Sequence, residues 1–292
     1  MFAAISPFDG TQELDASSPP PPGMHGIAEV RLTTRDGKTD LADLRQVSPL
    51  RVLFPTAASG DPLTAALVTT SGGLVGGDSL AFDLRVEDGA SGLFVAQAAE
   101  KIYRSSGADG RIDVRLSVGR DGWLEYLPQE TILFDNARLR RCTDVDVAQG
   151  GRLLAGEMLV FGRTARGERM NHGLIRDAWT IRRNGRMVWS DALHLDGDIA
   201  GRLDDGAGFD GCHAMATLAL VVDDPPPFLT ILRACPDHSQ VRFGATIVNG
   251  ILIARWLSAD AQTLRRSFGY AWGELRAAAG SCPKTLPRLW HI

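Results

Sequence analysis

The chain has 292 residues, 44% hydrophobic and 23% charged, a composition typical of a folded globular protein rather than a disordered or fibrous one. Its formal net charge is −4, and a protein with balanced charge does not attract a phosphate backbone, so nucleic acid is not an expected partner. No apolar run reaches the roughly 20 residues of a membrane span, and the N-terminus lacks the features of a signal peptide. We therefore expect a cytoplasmic protein that does not associate with membranes.

The four cysteines and six histidines form no recognisable disulfide or metal-binding pattern. The cysteines lie far apart without a Cys-x-x-Cys pair, and we interpret them as reduced structural thiols. The histidines include no His-Glu-x-x-His motif, and the adjacent Cys212 and His213 would point to opposite faces of a strand. The sequence predicts neither a stable metal site nor a tightly bound cofactor.

In chain order, residues 1–23 come first; they are acidic and contain a Ser-Ser-Pro-Pro-Pro-Pro-Gly run, which predicts a flexible tail. Residues 24–292 are predicted to form a single β domain, in which nine Asp-Gly or Asn-Gly pairs favour tight turns. Apolar and polar residues alternate at 80–87 and 112–118, the period of two that is typical of half-buried strands. We predict mostly β structure, in a solenoid-like or sandwich-like arrangement of strands, with one or two helices, one of them near the C-terminus.

The clearest local signals lie near the C-terminus. An Asn-Gly pair between residues 241–248 and 251–257 predicts a β-hairpin with a type I′ turn. Apolar residues spaced three or four apart then predict a helix, with Ser258 as its N-cap and Gly280 at its end. We expect packing of Phe268 and neighbouring apolar side chains on the sheet to stabilise this helix.

Charge is unevenly distributed between residues 163 and 210. Residues 163–186 contain seven Arg against two acids, whereas residues 191–210 contain six Asp against one Arg. Such blocks are typical of solvated loop faces. The alternative interpretation is a pair of charged surfaces that dock other proteins.

Four polar segments follow one another along the chain, each beside a predicted strand. The first is rich in glycine but lacks the Lys-Ser/Thr of a phosphate-binding loop, so we expect a structural loop that presents Asp78. In the fourth, Arg163 is expected to pair with Glu157 or Glu168. The segments are residues 72–78 (GGLVGGD), 97–105 (QAAEKIYRS), 127–134 (LPQETILF) and 162–168 (GRTARGE).

The acids of these segments also permit an enzymatic interpretation. Glycoside cleavage needs two carboxyl groups about 5 to 10 Å apart, and Glu130 with Glu157 or Glu168 supplies candidates. The Gly-x-Ser-x-Gly elbow of a serine hydrolase is absent. A β-fold hydrolase with paired carboxylates is therefore the alternative function.

The four segments occur in the order found in urease accessory proteins of the UreD family, called UreH in some naming, which the chain resembles from about residue 26 to 292. Ser-Pro-Leu-Arg at 48–51, Ala-Arg-Trp-Leu at 254–257 and Pro-Arg-Leu-Trp at 287–290 extend the resemblance. The chain departs from the family's usual Thr at Glu100. The resemblance implies a largely β fold of two layered sheets with few helices, and a non-enzymatic role.

That role is urease maturation. The resemblance implies a scaffold that binds apo-urease and UreF, with the GTPase UreG recruited through UreF, and that assists GTP-dependent delivery of nickel. Transient passage of Ni²⁺ suits scattered oxygen ligands, because a cluster of His and Cys would retain the ion. Position within the family motifs indicates Asp78, Lys101, Glu130, Asp135 and Glu168 as residues lining a nickel path, and Tyr103, Arg104, Arg163 and Arg166 as partner-docking residues.

Overall fold

The computed structural model describes residues 23–291, so all but Gly23 of the predicted tail lies outside the described residues. The first sheet contains seven strands, and the second contains ten. The first sheet consists of β1 (His25–Arg35), β2 (Lys38–Val47), β5 (Ser79–Val86), β8 (Gly110–Val118), β11 (Arg138–Val147), β13 (His172–Arg183) and β14 (Arg186–Asp198). The second consists of β3 (Leu50–Leu53), β4 (Leu63–Thr69), β6 (Ser91–Ala96), β7 (Glu100–Ile102), β9 (Trp123–Leu127), β10 (Thr131–Leu133), β12 (Arg152–Phe161), β15 (Ala214–Val221), β16 (Arg242–Val248) and β17 (Ile251–Ser258).

The chain coils between the two sheets. From β5 in the first sheet it crosses to β6 in the second, and it then continues through β8, β9, β11, β12 and β13 in alternation between the sheets. Successive strands of each sheet in this coil, such as β5 with β8 and β6 with β9, pair in parallel. The predicted mainly β fold of two layered, solenoid-like sheets is confirmed.

Two-residue turns join the antiparallel strand pairs at the sheet margins. Asp36-Gly37, Asn184-Gly185 and Asn249-Gly250 each have positive φ at both residues and connect β1 to β2, β13 to β14 and β16 to β17. This is the geometry of a type I′ turn, so the C-terminal hairpin is confirmed. The Asp196-Gly197 pair, by contrast, lies inside β14.

Three α-helices are present in residues 23–291: α1 (Ile199–Asp204), α2 (Pro226–Arg233) and α3 (Ala261–Gly280). One hydrophobic core fills the space between the sheets, and a second lies between the second sheet and α2 and α3. The predicted N-cap of α3 is wrong, because Ser258 still pairs with β15 as the last residue of β17. The cap is Asp260, whose carboxylate accepts a hydrogen bond of 2.7 Å from the backbone N–H of Thr263.

The two charged blocks are neighbours in space. β13 carries part of the basic block and β14 part of the acidic block, and the two strands pair antiparallel at the edge of the first sheet. Arg169 and Asp204 form an ion pair of 2.5 Å between the blocks. Within residues 23–291, none of the helices has the length and apolar character needed to span a membrane. No disulfide joins the four cysteines within residues 23–291.

Candidate functional site

The four polar segments converge on one narrow strip of the molecule, which we call the motif ladder (residues 72–78, 97–105, 127–134 and 161–168). Leu74 forms a parallel bridge with Ile102, β7 pairs in parallel with β10, and β10 pairs in parallel with β12. Backbone hydrogen bonds continue this stacking, including those from Phe134 N–H to Ile102 O, 3.0 Å, and from Gly162 N–H to Leu133 O, 2.7 Å. Segments separated by about one coil of the solenoid therefore form consecutive rungs.

The glycines of the first segment permit this close stacking. Gly73 has a φ of +144°, and a Cβ there would lie 2.4 Å from the carbonyl oxygen of Lys101. A Cβ on Gly76 would lie 2.3 Å from the carbonyl oxygen of Ala108. Both positions therefore require glycine for close backbone approach and, at Gly73, for the left-handed conformation.

A cavity of about 250 Å³, which we call the chamber, lies between the sheets behind the motif ladder. Exposed residues at its mouth, including Gly72, Gln97, Ala98 and Lys101, belong to the first two rungs. Its interior wall combines apolar residues of both sheets with a small number of polar groups. These interior residues are Leu67, Thr69, Leu80, Phe82, Ala96, Glu100, Ile112, Tyr126, Gln129, Thr131 and Arg141.

A buried ion cluster joins the two sheets at the inner wall of the chamber. Arg141 on β11 donates from Nε to Asp177 on β13, 2.9 Å, and from Nη2 to Glu157 on β12, 2.6 Å, with a second contact from Nη2 to Asp177. Its Nη1 donates to Thr131 Oγ1 on β10, 3.1 Å. The side chains of Arg141, Glu157 and Asp177 are only 7%, 7% and 1% exposed.

The position of this cluster follows from strand alternation. Along β11 the inward positions are Leu139, Arg141, Thr143 and Val145, so the guanidinium occupies a site that apolar side chains take elsewhere on the strand. A charge there is stable only with compensating partners. Glu157 and Asp177 supply them from β12 and β13.

Burial governs the electrostatics of the cluster. It raises the pKa of Glu157 well above the usual value of a carboxyl, although Arg141 acts in the opposite direction. Burial also opposes the charge of Arg141, but attraction to Asp177 and Glu157 outweighs that effect and holds its pKa above the usual value. The arginine therefore carries a fixed positive charge, and the charge on Glu157 depends on that partner.

A further carboxyl lies closer to the mouth of the chamber. Glu100 accepts a hydrogen bond of 2.7 Å from the hydroxyl of Thr69. Burial raises the pKa of Glu100, against the effect of that hydrogen bond. Tyr126 also lines the chamber, and burial raises the pKa of its hydroxyl. The chamber therefore offers oxygen atoms at successive depths.

Two of the predicted path residues, Asp78 and Lys101, lie in the first two rungs. Asp78 is buried, and its carboxylate accepts hydrogen bonds from the backbone N–H groups of Met24, 2.8 Å, and Val75, 2.9 Å. It thereby fixes the glycine-rich loop. Lys101 is exposed and contributes to the mouth of the chamber.

A third predicted path residue, Glu130, lies on the side of the second sheet that faces α3. It forms an ion pair of 2.5 Å with Arg265 of α3, and the guanidinium of Arg265 also packs 4.0 Å above the ring of Trp290. The side chain of the adjacent Gln129 donates to the carbonyl of Leu289, 2.8 Å. These contacts attach the C-terminal segment to the ladder.

Asp135 and Glu168 meet at the far end of the ladder. Glu168 accepts from Arg163 Nε, 2.7 Å, which confirms that predicted pair, and from the backbone N–H of Asp135, 3.1 Å. The hydrogen bond from Arg163 lowers the pKa of Glu168. Asp135 in turn accepts from the backbone N–H of Asn171, 2.7 Å. Arg163 packs 4.4 Å above the ring of Phe134.

The predicted docking residues lie along the outer side of the ladder. Tyr103 packs edge-on against Phe134, with ring centroids 4.8 Å apart, and donates to the carbonyl of Gly72, 2.9 Å. Arg104 and Arg166 are exposed. Together with the half-buried Arg163, they give this side two accessible arginines and an aromatic surface.

Three carboxylates considered for hydrolysis do not face one another. Glu130, Glu157 and Glu168 each form an ion pair with a different arginine, on α3, β11 and the fourth ladder segment respectively. No group of three or more His, Cys, Asp or Glu suited to holding a metal occurs in residues 23–291. The ladder and chamber instead present separated polar groups.

Sequence reasoning missed Arg141, Asp177 and Glu100 as site residues. A signal for Arg141 exists, because it occupies an inward position of an alternating strand. Glu157 gives a similar signal, since it interrupts an otherwise apolar run from Leu153 to Phe161.

Comparison with known proteins gives a consistent result. A family model described as UreD urease accessory protein matches residues 24–291. A urease accessory protein UreD of Magnetococcus marinus is 42% identical over 284 residues, covering 96% of this chain and 98% of the relative. Those of Rhodopseudomonas palustris strain BisA53 (40% over 255 residues, 87% and 86% covered) and Azorhizobium caulinodans (38% over 274 residues, 93% and 98% covered) are similar. The similarity spans both sheets and the ladder.

Proposed function

Because the chain belongs to the UreD family of urease accessory proteins, its role lies in urease maturation, and we propose that it acts there as a scaffold and nickel conduit rather than as an enzyme. In this proposal it binds apo-urease and UreF, with the GTPase UreG recruited through UreF, in the cytoplasm. Ni²⁺ is the cargo and passes transiently during GTP-dependent delivery. The chamber behind the motif ladder is the observation that carries the proposal.

The chemistry of the chamber suits transit of a cation. A route must bind Ni²⁺ weakly enough to release it, and soft or imidazole clusters would retain the ion. The polar side chains of the interior wall are those of Thr69, Glu100, Tyr126, Gln129 and Thr131, all of which present oxygen atoms, with one resident arginine. A cavity of about 250 Å³ also has room for several water molecules, since one needs roughly 10–15 Å³ of such volume.

The path residues named from the sequence remain part of the proposal, and their contacts indicate what each contributes to the route. Asp78, Asp135 and Glu168 fix backbone N–H groups of the ladder loops and so hold the mouth and far end in place. Lys101 sets the charge at the mouth, and Glu130 attaches the C-terminal segment. Substitution of these residues should therefore reduce urease activation mainly through the geometry of the route.

The outer side of the ladder is the proposed partner-docking surface. Replacement of both Arg104 and Arg166 by Glu would reverse two exposed charges and should reduce co-purification of UreF or apo-urease. Arg186→Glu, which changes an exposed arginine on the distant β13–β14 turn, is the matched control. Equal loss in both variants would show that general charge, rather than this surface, governs binding.

The test of the proposed function is urease activation in cells that carry the urease subunits and other accessory proteins, with this gene deleted and then restored. At fixed nickel supply, we expect urease protein to accumulate in the deletion strain but to remain nickel-poor and inactive until the gene returns. Full activity and normal nickel content without the gene would overturn the proposal.

A further inference from the structure

The ion cluster of the chamber has an asymmetric arrangement. Arg141 lines the chamber, whereas Glu157 and Asp177 do not. Arg141 is therefore the member of the cluster that faces the open space. Any cation in the chamber encounters Arg141 before it encounters these acids.

Both carboxylates converge on one atom of the arginine. Nη2 of Arg141 lies 2.6 Å from Glu157 Oε2 and also contacts Asp177 Oδ2. The position of that nitrogen is one where a divalent cation would meet two carboxylate oxygens, with the Thr131 hydroxyl beside the same guanidinium. The guanidinium thus occupies a place that is suited to a metal ion.

A second observation concerns the buried donor that lies beside these carboxylates. The side chain of Trp179, on β13 next to Asp177 in the inward row, is only 3% exposed. Its indole N–H lies beside the Glu157 carboxylate, where it favours the charged form, yet it completes no hydrogen bond of normal geometry. A buried donor in that state is costly. The Trp179 indole N–H is therefore a polar group of this cluster that its ion pairs leave without a hydrogen bond of normal geometry.

We propose that Arg141 is a specificity-determining residue of the chamber: its guanidinium is a resident cation that occupies the Glu157–Asp177 carboxylates, so that Ni²⁺ passes and is not retained. The inference rests on the proposed function for its biological meaning. Whether or not nickel passes through the protein, removal of the arginine should convert the inner wall into a binding site for a divalent cation. Two buried carboxylates without a compensating charge bind such a cation strongly.

The experiment measures Ni²⁺ binding to the purified full chain by equilibrium dialysis and calorimetry, with NiCl₂ as the probe. Arg141→Met keeps much of the side-chain length and removes the charge. We expect it to gain one Ni²⁺ per chain with a Kd about tenfold or more below that of any wild-type site, because loss of one adjacent charge shifts carboxylate equilibria by at least that order. The variant R141M/E157Q/D177N, which lacks the acids as well, should lose this gain.

Two further measurements keep the inference falsifiable. If Arg141→Met does not fold, Arg141→Gln also removes the charge but keeps an amide donor beside the two acids, and it should gain Ni²⁺ affinity in the same way. A folded R141M, or failing that a folded R141Q, with wild-type Ni²⁺ binding would overturn the inference, as would a gain that survives in the triple variant.

Failure of the proposed function gives a different result. If deletion of the gene leaves urease activation unchanged while R141M still gains a Ni²⁺ site, the conduit role is wrong and the role of Arg141 stands. If deletion abolishes activation while R141M gains no site, the role in urease maturation stands and the inference about Arg141 is wrong.

Discussion

Replacement of Arg276 by Met tests how the second sheet is held against α3. Arg276 is fully buried and donates from Nε and Nη2 to Glu125, at 2.9 and 3.2 Å, and from Nη2 to Asp61, 2.9 Å. Its Nη1 donates to the carbonyls of Pro283 and Thr285 at 2.8 and 2.7 Å. One side chain therefore joins β9, the loop before β4 and the C-terminal segment.

Removal of the guanidinium leaves Glu125, itself 0% exposed, as a buried charge without its counter-ion. Loss of one partner from a buried ion pair costs about 3–5 kcal/mol. The indoles of Trp123 and Trp272 still donate to Glu125, at 3.2 and 2.9 Å, which places the expected loss in the lower part of that range. Against a total stability of about 5–15 kcal/mol, such a loss is large.

Urea unfolding followed by tryptophan fluorescence would measure the free energy of unfolding. Arg266→Met is the matched control, because Arg266 is an exposed residue of the same helix, and its loss should change stability by at most about 0.5 kcal/mol. Adding Glu125→Gln to R276M removes the stranded charge and should recover part of the loss. An R276M protein within about 1 kcal/mol of wild type would refute this assignment. Because Glu125 and Tyr126 are adjacent on β9, the same variant should also disturb the chamber wall.

Three further predictions concern the ladder and the chamber. Burial raises the pKa of Glu100 in the folded state, so the stabilising contribution of the protonated carboxyl is present below the unfolded-state pKa and is lost as pH rises through the folded-state pKa. In thermal melts, the Tm of Glu100→Gln should therefore exceed that of wild type by more at pH 8 than at pH 5. Gly73→Ala should destabilise by about 1–3 kcal/mol in urea unfolding, whereas Gly72→Ala, whose nearest neighbour would lie 3.7 Å away, should change little. Asp78→Ala should cost about 1–3 kcal/mol by the same measurement, because two N–H groups lose their acceptor. Equal losses of stability in G73A and G72A would contradict the close approach at Gly73. A Tm difference at Glu100 that does not depend on pH would contradict the effect of burial there, and a D78A protein as stable as wild type would contradict the role of its two hydrogen bonds.

Local features of the fold were predictable because they depend on short-range rules. Alternation at 80–87 and 112–118 identified inward positions of β5 and β8, and the Asn249-Gly250 pair identified the last hairpin. The start of α3 was misplaced because Ser258 and Asp260 are both good N-caps. Pairing of β17 with β15 extends the strand through Ser258, and that long-range constraint decides between them.

The candidate site was predictable only in part. The four motifs identified the rungs of the ladder, and Glu168 was one of the two acids, with Glu157, that were expected to pair with Arg163. The chamber depends on which strands become neighbours, and Arg141 lies 16 residues from Glu157 and 36 from Asp177 along the chain. Such pairs become evident only once the coil places β11, β12 and β13 together.

The most direct test of the conduit is the nickel content of urease purified from cells in which the mouth of the chamber carries a bulky side chain. Ala98→Trp places an indole at an exposed position of the mouth, and Ala207→Trp makes the same change at an exposed site elsewhere. With equal amounts of each variant and of UreF bound to it, we predict nickel-poor, inactive urease with A98W and normal urease with A207W. Urease with full nickel content in the A98W strain would contradict passage through the chamber.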